Sequence, residues 1–179
     1  ISDIDSSYIN GSNVVAYAAK TNTDFSTVSD LEVFYYSNGS ITRLSENEVA
    51  DYSVNFLDNE LYWISDTSVL CATNGGTETV KTAISGLESS VSGIKTVKNG
   101  NGAKVIVWEQ TSDATSKLFG SYYNPTTEDF GNAIPLTTGA DVIRGWDACM
   151  MSDGKIQLSY GGAEELETPV DGNIYGQMN

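Results

Sequence analysis

The chain has 179 residues, of which 40% are hydrophobic, so it is long enough to bury a sizeable core. Its formal net charge of −15 disfavours binding to nucleic acid or to anionic membrane surfaces. The sequence contains no His, and its arginines are Arg43 and Arg144, which excludes His-dependent nucleophiles and proton shuttles and disfavours guanidinium clamps on phosphate or carboxylate substrates.

Short runs rich in Val, Ile, Tyr, Phe and Trp, bounded by Gly, Asn and Asp, follow one another along the chain, and helical periodicity is nearly absent. The runs group into sets of four. The first set of predicted strands is 6–9, 13–18, 31–36 and 41–44. The second set is 52–57, 61–65, 68–72 and 79–84, with a predicted last turn at 74–76.

The third set of predicted strands is 91–98, 104–110, 117–123 and 133–137. The fourth set has three members, 143–151, 155–160 and 173–178, and lacks a counterpart of the outermost strand. Asn-Gly and related turn residues separate most neighbouring runs, because such residues tolerate the positive φ of tight hairpins.

Aromatic residues support the repeat. Tyr17, Trp108 and Tyr160 each lie six positions after the turn glycine of their hairpin. The spacing between hairpins is about 40 to 50 residues, which is typical of four-stranded propeller blades. The sequence therefore predicts an all-β fold, a partial β-propeller of about three and a half four-stranded antiparallel blades. We expect a single propeller segment with blades at about 1–46, 47–87, 88–139 and 140–179, the last incomplete.

Two segments resemble bacterial WD40-like propellers of the TolB and peptidase-associated type. In residues 31–44 a tyrosine-rich strand, an Asn-Gly turn and an Ile-Thr-x-Leu strand follow one another, and residues 51–64 form the next inner hairpin. The resemblance implies the propeller fold and carries over no functional residue. Such families close a ring of several blades, so we expect association with another chain or with the remainder of a propeller.

Cys71 and Cys149 both lie in apolar runs and are predicted to be buried free thiols. The acidic clusters are expected to be solvated surface, because none has the spacing of a calcium loop. Asp3 and Asp5 are the best metal candidates, for calcium, and no other cofactor is expected.

Aromatic side chains could form a sugar-binding platform, although most are expected to pack between blades. In the adjacent pairs Tyr35-Tyr36 and Tyr122-Tyr123, one ring must lie on each face of a strand. The predicted ligand-binding residues are Trp108, Glu109, Trp146, Asp147, Tyr36 and Tyr123.

The first functional interpretation is a non-catalytic, extracellular or cell-surface recognition or scaffolding module of a larger bacterial protein. Its ligand would be a protein or a polysaccharide, bound by loops such as 20–30, 113–116 and 161–171, without insertion into a membrane. The alternative is a carbohydrate-binding or glycosidase-like propeller. A sialidase is disfavoured, because two arginines cannot form the arginine cluster of those enzymes.

Overall fold

The computed structural model describes residues 1, 3–21, 31–73, 80–88, 90–112, 115–137, 142–163 and 173–178. Every regular element in that part of the chain is a β-strand, which confirms the all-β prediction. None of the described residues belongs to a helix that could cross a membrane. The chain divides into two compact units, residues 1–89 and 90–179.

The first sheet, blade 1, is antiparallel with its strands in chain order. Its strands are β1 (Asp3–Ile9), β2 (Ser12–Lys20), β3 (Leu31–Ser37) and β4 (Ser40–Arg43). The turns at Asn10-Gly11 and Asn38-Gly39 have positive φ at both residues, between 51° and 82°. Two such residues form the hairpin turn that matches the right-handed twist of the flanking strands.

The second sheet, blade 2, has the same order. Its strands are β5 (Asp51–Leu57), β6 (Glu60–Ser65), β7 (Ser68–Ala72) and β8 (Val80–Ser85). Strand β5 contains a bulge between Tyr52 and Asn55, where Ser53 has a φ of 56°. The predicted turn at 74–76 lies outside the described residues.

Blades 1 and 2 pack face to face. One apolar cluster contains Ala16 and Val33 of blade 1 together with Leu61 and Trp63 of blade 2. Strand β6 is buried on both of its faces from Leu61 to Ile64, which explains why its sequence is continuously apolar instead of alternating.

The third sheet, blade 3, has an interrupted outer edge. Its strands are β9 (Val91–Lys98), β10 (Lys104–Ser112), β11 (Thr115–Asn124), β12 (Asp129–Phe130) and β13 (Ile134–Pro135). Both β12 and β13 pair with β11, where the sequence predicted one outer strand over 133–137. Pro135 pairs with Phe119 but has no N–H to donate, so the ladder at this edge is short.

The fourth sheet, blade 4, comprises β14 (Val142–Met150), β15 (Ile156–Ala163) and β16 (Asn173–Met178). It packs on blade 3 through a cluster that includes Val107, Leu118, Ala148 and Leu158. The blade limits and the description of the chain as one propeller segment stay predictions.

Candidate functional site

Asp3 and Asp5, the candidate calcium ligands, lie on the face of β1 that packs against β5. The Asp3 Oδ2 atom accepts a hydrogen bond from the Ser53 amide at 2.7 Å. The Asp5 Oδ2 atom accepts one from the Phe56 amide at 2.7 Å. These amides flank the bulge of β5, so the two carboxylates hold the inner strand of the next blade.

Calcium binding by Asp3 and Asp5 stays a prediction. In the part of the chain that the structure describes, His, Cys, Asp and Glu form no group of three or more that could hold a metal ion. The two carboxylates have a structural use of their own, since a charged acceptor makes a stronger hydrogen bond to a backbone amide than a neutral one does.

Trp108 and Glu109 lie on opposite faces of β10. The Trp108 side chain is 1% exposed and stacks on Phe119, with 6.0 Å between the ring centroids. Glu109 is buried and its Oε2 atom accepts a hydrogen bond from the Ser92 hydroxyl at 2.8 Å. Both side chains are part of the interior, so neither offers a surface to a ligand in this structure.

Trp146 and Asp147 both line a shallow cavity of about 270 Å³ on blade 4. Alternation along β14 directs their side chains to opposite faces, and Trp146 packs against the core between blades 3 and 4. Gly145 and Gly161 leave part of the cavity without side chains, and Ser159 and Tyr160 complete the described lining. A smaller cavity of about 140 Å³ shares Asp147 and Ser159 with it, so the polar groups offered there are a carboxylate and a hydroxyl.

The Asp147 carboxylate is the charged group of this cavity. It pairs with the Lys95 ammonium group of β9 and accepts a hydrogen bond from the Ala148 amide at 2.8 Å. The hydrogen bond from Lys95 is the main cause that lowers the pKa of Asp147 below its usual range. Asp147 is therefore ionised at neutral pH, and the ion pair links the inner strands of blades 3 and 4.

The tyrosine pairs divide between the strand faces as expected. Tyr35 is buried and Tyr36 is 41% exposed, so Tyr36 is available for contacts. In the other pair Tyr122 is the exposed member, whereas Tyr123 packs edge-on against Phe130 and lies under the Lys104 ammonium group at 4.0 Å. The more exposed ring of this pair is therefore that of Tyr122, and ligand binding by Tyr123 stays a prediction.

Neither cysteine forms a disulfide bond. The prediction of burial is correct for Cys71 and wrong for Cys149, which is exposed. Cys149 alternates with the buried Ala148 along β14 and so points away from the core. Of the predicted binding loops 20–30, 113–116 and 161–171, the parts 22–30, 113–114 and 164–171 lie outside the described residues.

A buried polar network in unit 1 was not anticipated from the sequence. Glu32 is completely buried, and its carboxylate accepts hydrogen bonds from Arg43 at 2.9 Å and from the Ser45 hydroxyl at 2.6 Å. Asp51 is also completely buried and accepts one from the Asn47 side chain at 2.9 Å. The sequence did contain an indication of this network, because Glu32 interrupts an otherwise apolar run and a buried acid needs a hydrogen-bonding or charged partner.

Burial raises the pKa of Asp51, and the nearby Glu32 carboxylate adds to the effect, while hydrogen bonds from Ser65, Ser45 and Asn47 oppose it. The network joins β3, the connection between blades 1 and 2, and the start of β5, so we interpret it as a structural element.

Comparisons with known proteins identify the fold of the chain but do not assign it to a family. No protein-family model matches the sequence, and no curated protein matches it significantly. The crystal structure of TolB from Acinetobacter baumannii superposes with a TM-score of 0.58 at 9% identity, over 93% of this chain and 39% of that one.

Two trans-sialidase structures are also similar. The intramolecular trans-sialidase from Ruminococcus gnavus, in complex with oseltamivir carboxylate, gives a TM-score of 0.48 at 14% identity, over 87% of this chain and 38% of that one. The leech intramolecular trans-sialidase, in complex with 2,7-anhydro-Neu5Ac, gives a TM-score of 0.49 at 12% identity, over 93% of this chain and 29% of that one.

The TolB comparison confirms the predicted resemblance at the level of the fold, and with it the partial β-propeller of about three and a half blades. At 9% identity the likeness concerns the fold alone. The chain spans well under half the length of each of the three structures.

Proposed function

We propose that this chain is a non-catalytic recognition or scaffolding segment of a larger bacterial surface or secreted protein, and that it acts outside the cell. The observation that carries the proposal is the propeller fold: stacked small sheets present their loops and strand ends as a binding surface, without a cofactor. The acidic, histidine-free composition supports a binding role over acid–base catalysis.

A segment of this kind associates with another chain or with the remaining blades of a propeller. Its ligand is a protein or a polysaccharide. The candidate site for that ligand is the shallow blade 4 cavity, where the exposed Asp147 carboxylate lies beside Ser159 and two glycines.

A glycan array tests the proposal at this cavity. We expect saturable binding to a polysaccharide that weakens about tenfold in Asp147→Ala, the loss of one charge-assisted hydrogen bond. Asp153→Ala is the matched control, because Asp153 is a similarly exposed, lysine-paired carboxylate on the hairpin turn of the same sheet. Equal weakening by both variants would contradict a site at the cavity.

The second candidate is a carbohydrate-binding or glycosidase-like propeller, which the exposed Asp147 carboxylate at this cavity favours. A glycosidase needs two carboxyl groups about 5 to 10 Å apart across the scissile bond. Release of reducing sugar from a bound glycan, abolished in Asp147→Asn, would establish a glycosidase. Glycan binding without release would support a carbohydrate-binding module, and silence across all glycans would leave the first candidate with a protein ligand.

A further inference from the structure

The pair Asn-Gly occurs five times in the sequence, and four of the pairs lie in described turns. They are Asn10-Gly11 and Asn38-Gly39 in blade 1, and Asn99-Gly100 and Asn101-Gly102 in blade 3. The fifth pair, Asn74-Gly75, lies outside the described residues. An Asn followed by Gly is reactive, because the glycine amide nitrogen can attack the Asn side-chain carbonyl without a Cβ in its way.

The two pairs of blade 3 are held by hydrogen bonds that oppose this reaction. Asn99 is buried, and its Oδ1 atom accepts hydrogen bonds from the amides of Asn101 and Ala103. The Gly102 amide, which would attack Asn101, donates a hydrogen bond to the Asn99 carbonyl at 3.1 Å. Reaction at either pair must first break these hydrogen bonds, so the structure protects both.

The two pairs of blade 1 lie in exposed two-residue turns. Ile9 and Ser12 form the last ladder pair on either side of the first turn, and the second turn is built in the same way. The amides of Gly11 and Gly39 therefore lie outside the strand ladder. Because these turn residues are exposed, solvent base reaches the attacking nitrogen.

One contact acts on the reactive carbonyl of Asn38. The Ser12 hydroxyl, on the neighbouring hairpin of the same blade, donates a hydrogen bond to the Asn38 Oδ1 atom at 3.0 Å. Negative charge develops on this oxygen when a nitrogen adds to Cγ, so a donor at this position stabilises the tetrahedral intermediate. The contact engages the carbonyl oxygen and not the Nδ2 group, which is the group that must leave.

We propose that Asn38-Gly39 is a self-modification site, at which Asn38 closes to a succinimide ring with Ser12 as a positioning residue. The Gly39 nitrogen gives its proton to solvent hydroxide and bonds to Cγ of Asn38. The bond from Cγ to Nδ2 breaks, and the leaving group takes a proton from water and departs as ammonia. Water then opens the ring at one of its two carbonyls, which gives aspartate or isoaspartate. This inference goes beyond the proposed recognition role and does not depend on it.

The modification changes the outer hairpin of blade 1. Either product places a carboxylate in the turn, and isoaspartate also lengthens the backbone of a turn whose register pairs Ser37 with Ser40. Strand β4 begins at this turn and carries Arg43, the ion-pair partner of the buried Glu32. We therefore expect the isoaspartate form to hold β4 less firmly than the original chain does.

Timed incubation of the folded protein, followed by peptide mapping with mass spectrometry, tests the site. We expect Asn38 and Asn10 to react at least about tenfold faster than Asn99 and Asn101, the effect of about one hydrogen bond. The rate should rise with pH, because the attacking nitrogen must lose its proton. In urea the difference between the pairs should largely disappear. If Asn38 reacts no faster than Asn99 and Asn101 in the folded protein, the proposal is wrong.

Substitutions test the part played by Ser12. Ser12→Ala should slow the reaction of Asn38 about fivefold in the folded protein, a modest effect because the hydroxyl competes with water. Ser12→Thr keeps a hydroxyl and should restore the rate. Ser40→Ala is the matched control, since Ser40 follows Gly39 in the sequence and is also exposed. Ser12→Ala should have no effect in urea, where the contact is absent.

The outcomes for Ser12 are distinct. An unchanged rate at Asn38 in Ser12→Ala, or equal slowing by Ser40→Ala, would show that the hydroxyl does not assist the reaction. A faster rate would show that it holds the side chain away from the Gly39 nitrogen. Each of these results would overturn the assignment of Ser12.

Discussion

The two units join their paired blades with different chemistry. In unit 1, carboxylates of one blade accept hydrogen bonds from the backbone of the other, and two further carboxylates, Glu32 and Asp51, are completely buried nearby. Among the described residues of unit 2, the polar links between the blades are an exposed ion pair, Lys95 with Asp147, and the neutral side chains of Asn99 and Asn101.

Asn99 links the two blades of unit 2 through a neutral side chain. Its Oδ1 atom accepts hydrogen bonds from the amides of Asn101 and Ala103 in its own turn. Its Nδ2 group donates hydrogen bonds to the carbonyls of Met151 and Ser152 in the next hairpin. Uncompensated charge is costly in an interior, whereas a neutral amide is less so. Unit 1 should therefore be more sensitive to substitution and to pH than unit 2.

The largest effect is expected for Arg43→Ala, which leaves the buried Glu32 carboxylate without its cation. We expect the free energy of unfolding to fall by about 3 kcal/mol, the lower end for a broken buried ion pair, because Arg43 is partly exposed. Urea unfolding followed by circular dichroism measures it. Glu46→Ala, which removes the exposed partner of the same guanidinium, should change little; equal effects would contradict the role of burial.

A smaller loss is expected for Asp5→Ala, which removes the acceptor of the Phe56 amide at the bulge of β5. An amide left without its partner in a partly buried position costs about 2 kcal/mol. Hydrogen exchange of the Phe56 amide provides the local readout and should speed up with the loss of stability. Ser6→Ala, on the exposed face of the same strand, is the control.

The third effect concerns pH. The pKa of Asp51 is raised in the folded state, so between its unfolded and folded pKa values the folded protein binds more protons, and stability falls as pH rises through that window. Asp51→Asn should flatten this dependence and increase stability at neutral pH, while keeping an acceptor for Asn47. The free energies of unfolding of both proteins, measured from pH 4 upward, would show this difference. If stability falls with pH equally steeply in Asp51→Asn, the pH dependence does not come from Asp51.

The smallest effect is expected in unit 2, where Asp147→Ala breaks an exposed ion pair. The free energy of unfolding should fall by no more than about 0.5 kcal/mol at moderate salt. The lowered pKa of Asp147 means that this small contribution is present at neutral pH and disappears as pH falls through the folded-state value. A loss above 1 kcal/mol would remove the contrast between the units.

Local signals were sufficient for most of the fold. The Asn-Gly turns predicted hairpins because both residues must take positive φ, and that conformation is present at Asn10-Gly11 and Asn38-Gly39. Alternation within strands likewise assigned Tyr35 and Tyr36 to opposite faces. Such features depend on residues close together in the sequence, so a single chain is enough to reveal them.

The candidate site was less accessible to this reasoning. Trp108 and Trp146 look equivalent in the sequence, but one is buried in the interior and the other lines a cavity. The carboxylates of Asp3 and Asp5 suggested a metal, while their hydrogen-bond partners lie about 50 residues further along the chain. Contacts between distant segments leave no periodic pattern, so burial and pairing at these positions required the structure.

The links from Asp3 and Asp5 to strand β5 also make the shape of one blade depend on another. The amides of Ser53 and Phe56 flank the bulge of β5, and their acceptors lie about 50 residues earlier in the sequence. Contacts at that separation cost more chain entropy to close than the hairpins within a blade do. We therefore expect the bulge of β5 to become fixed only when blades 1 and 2 have packed together.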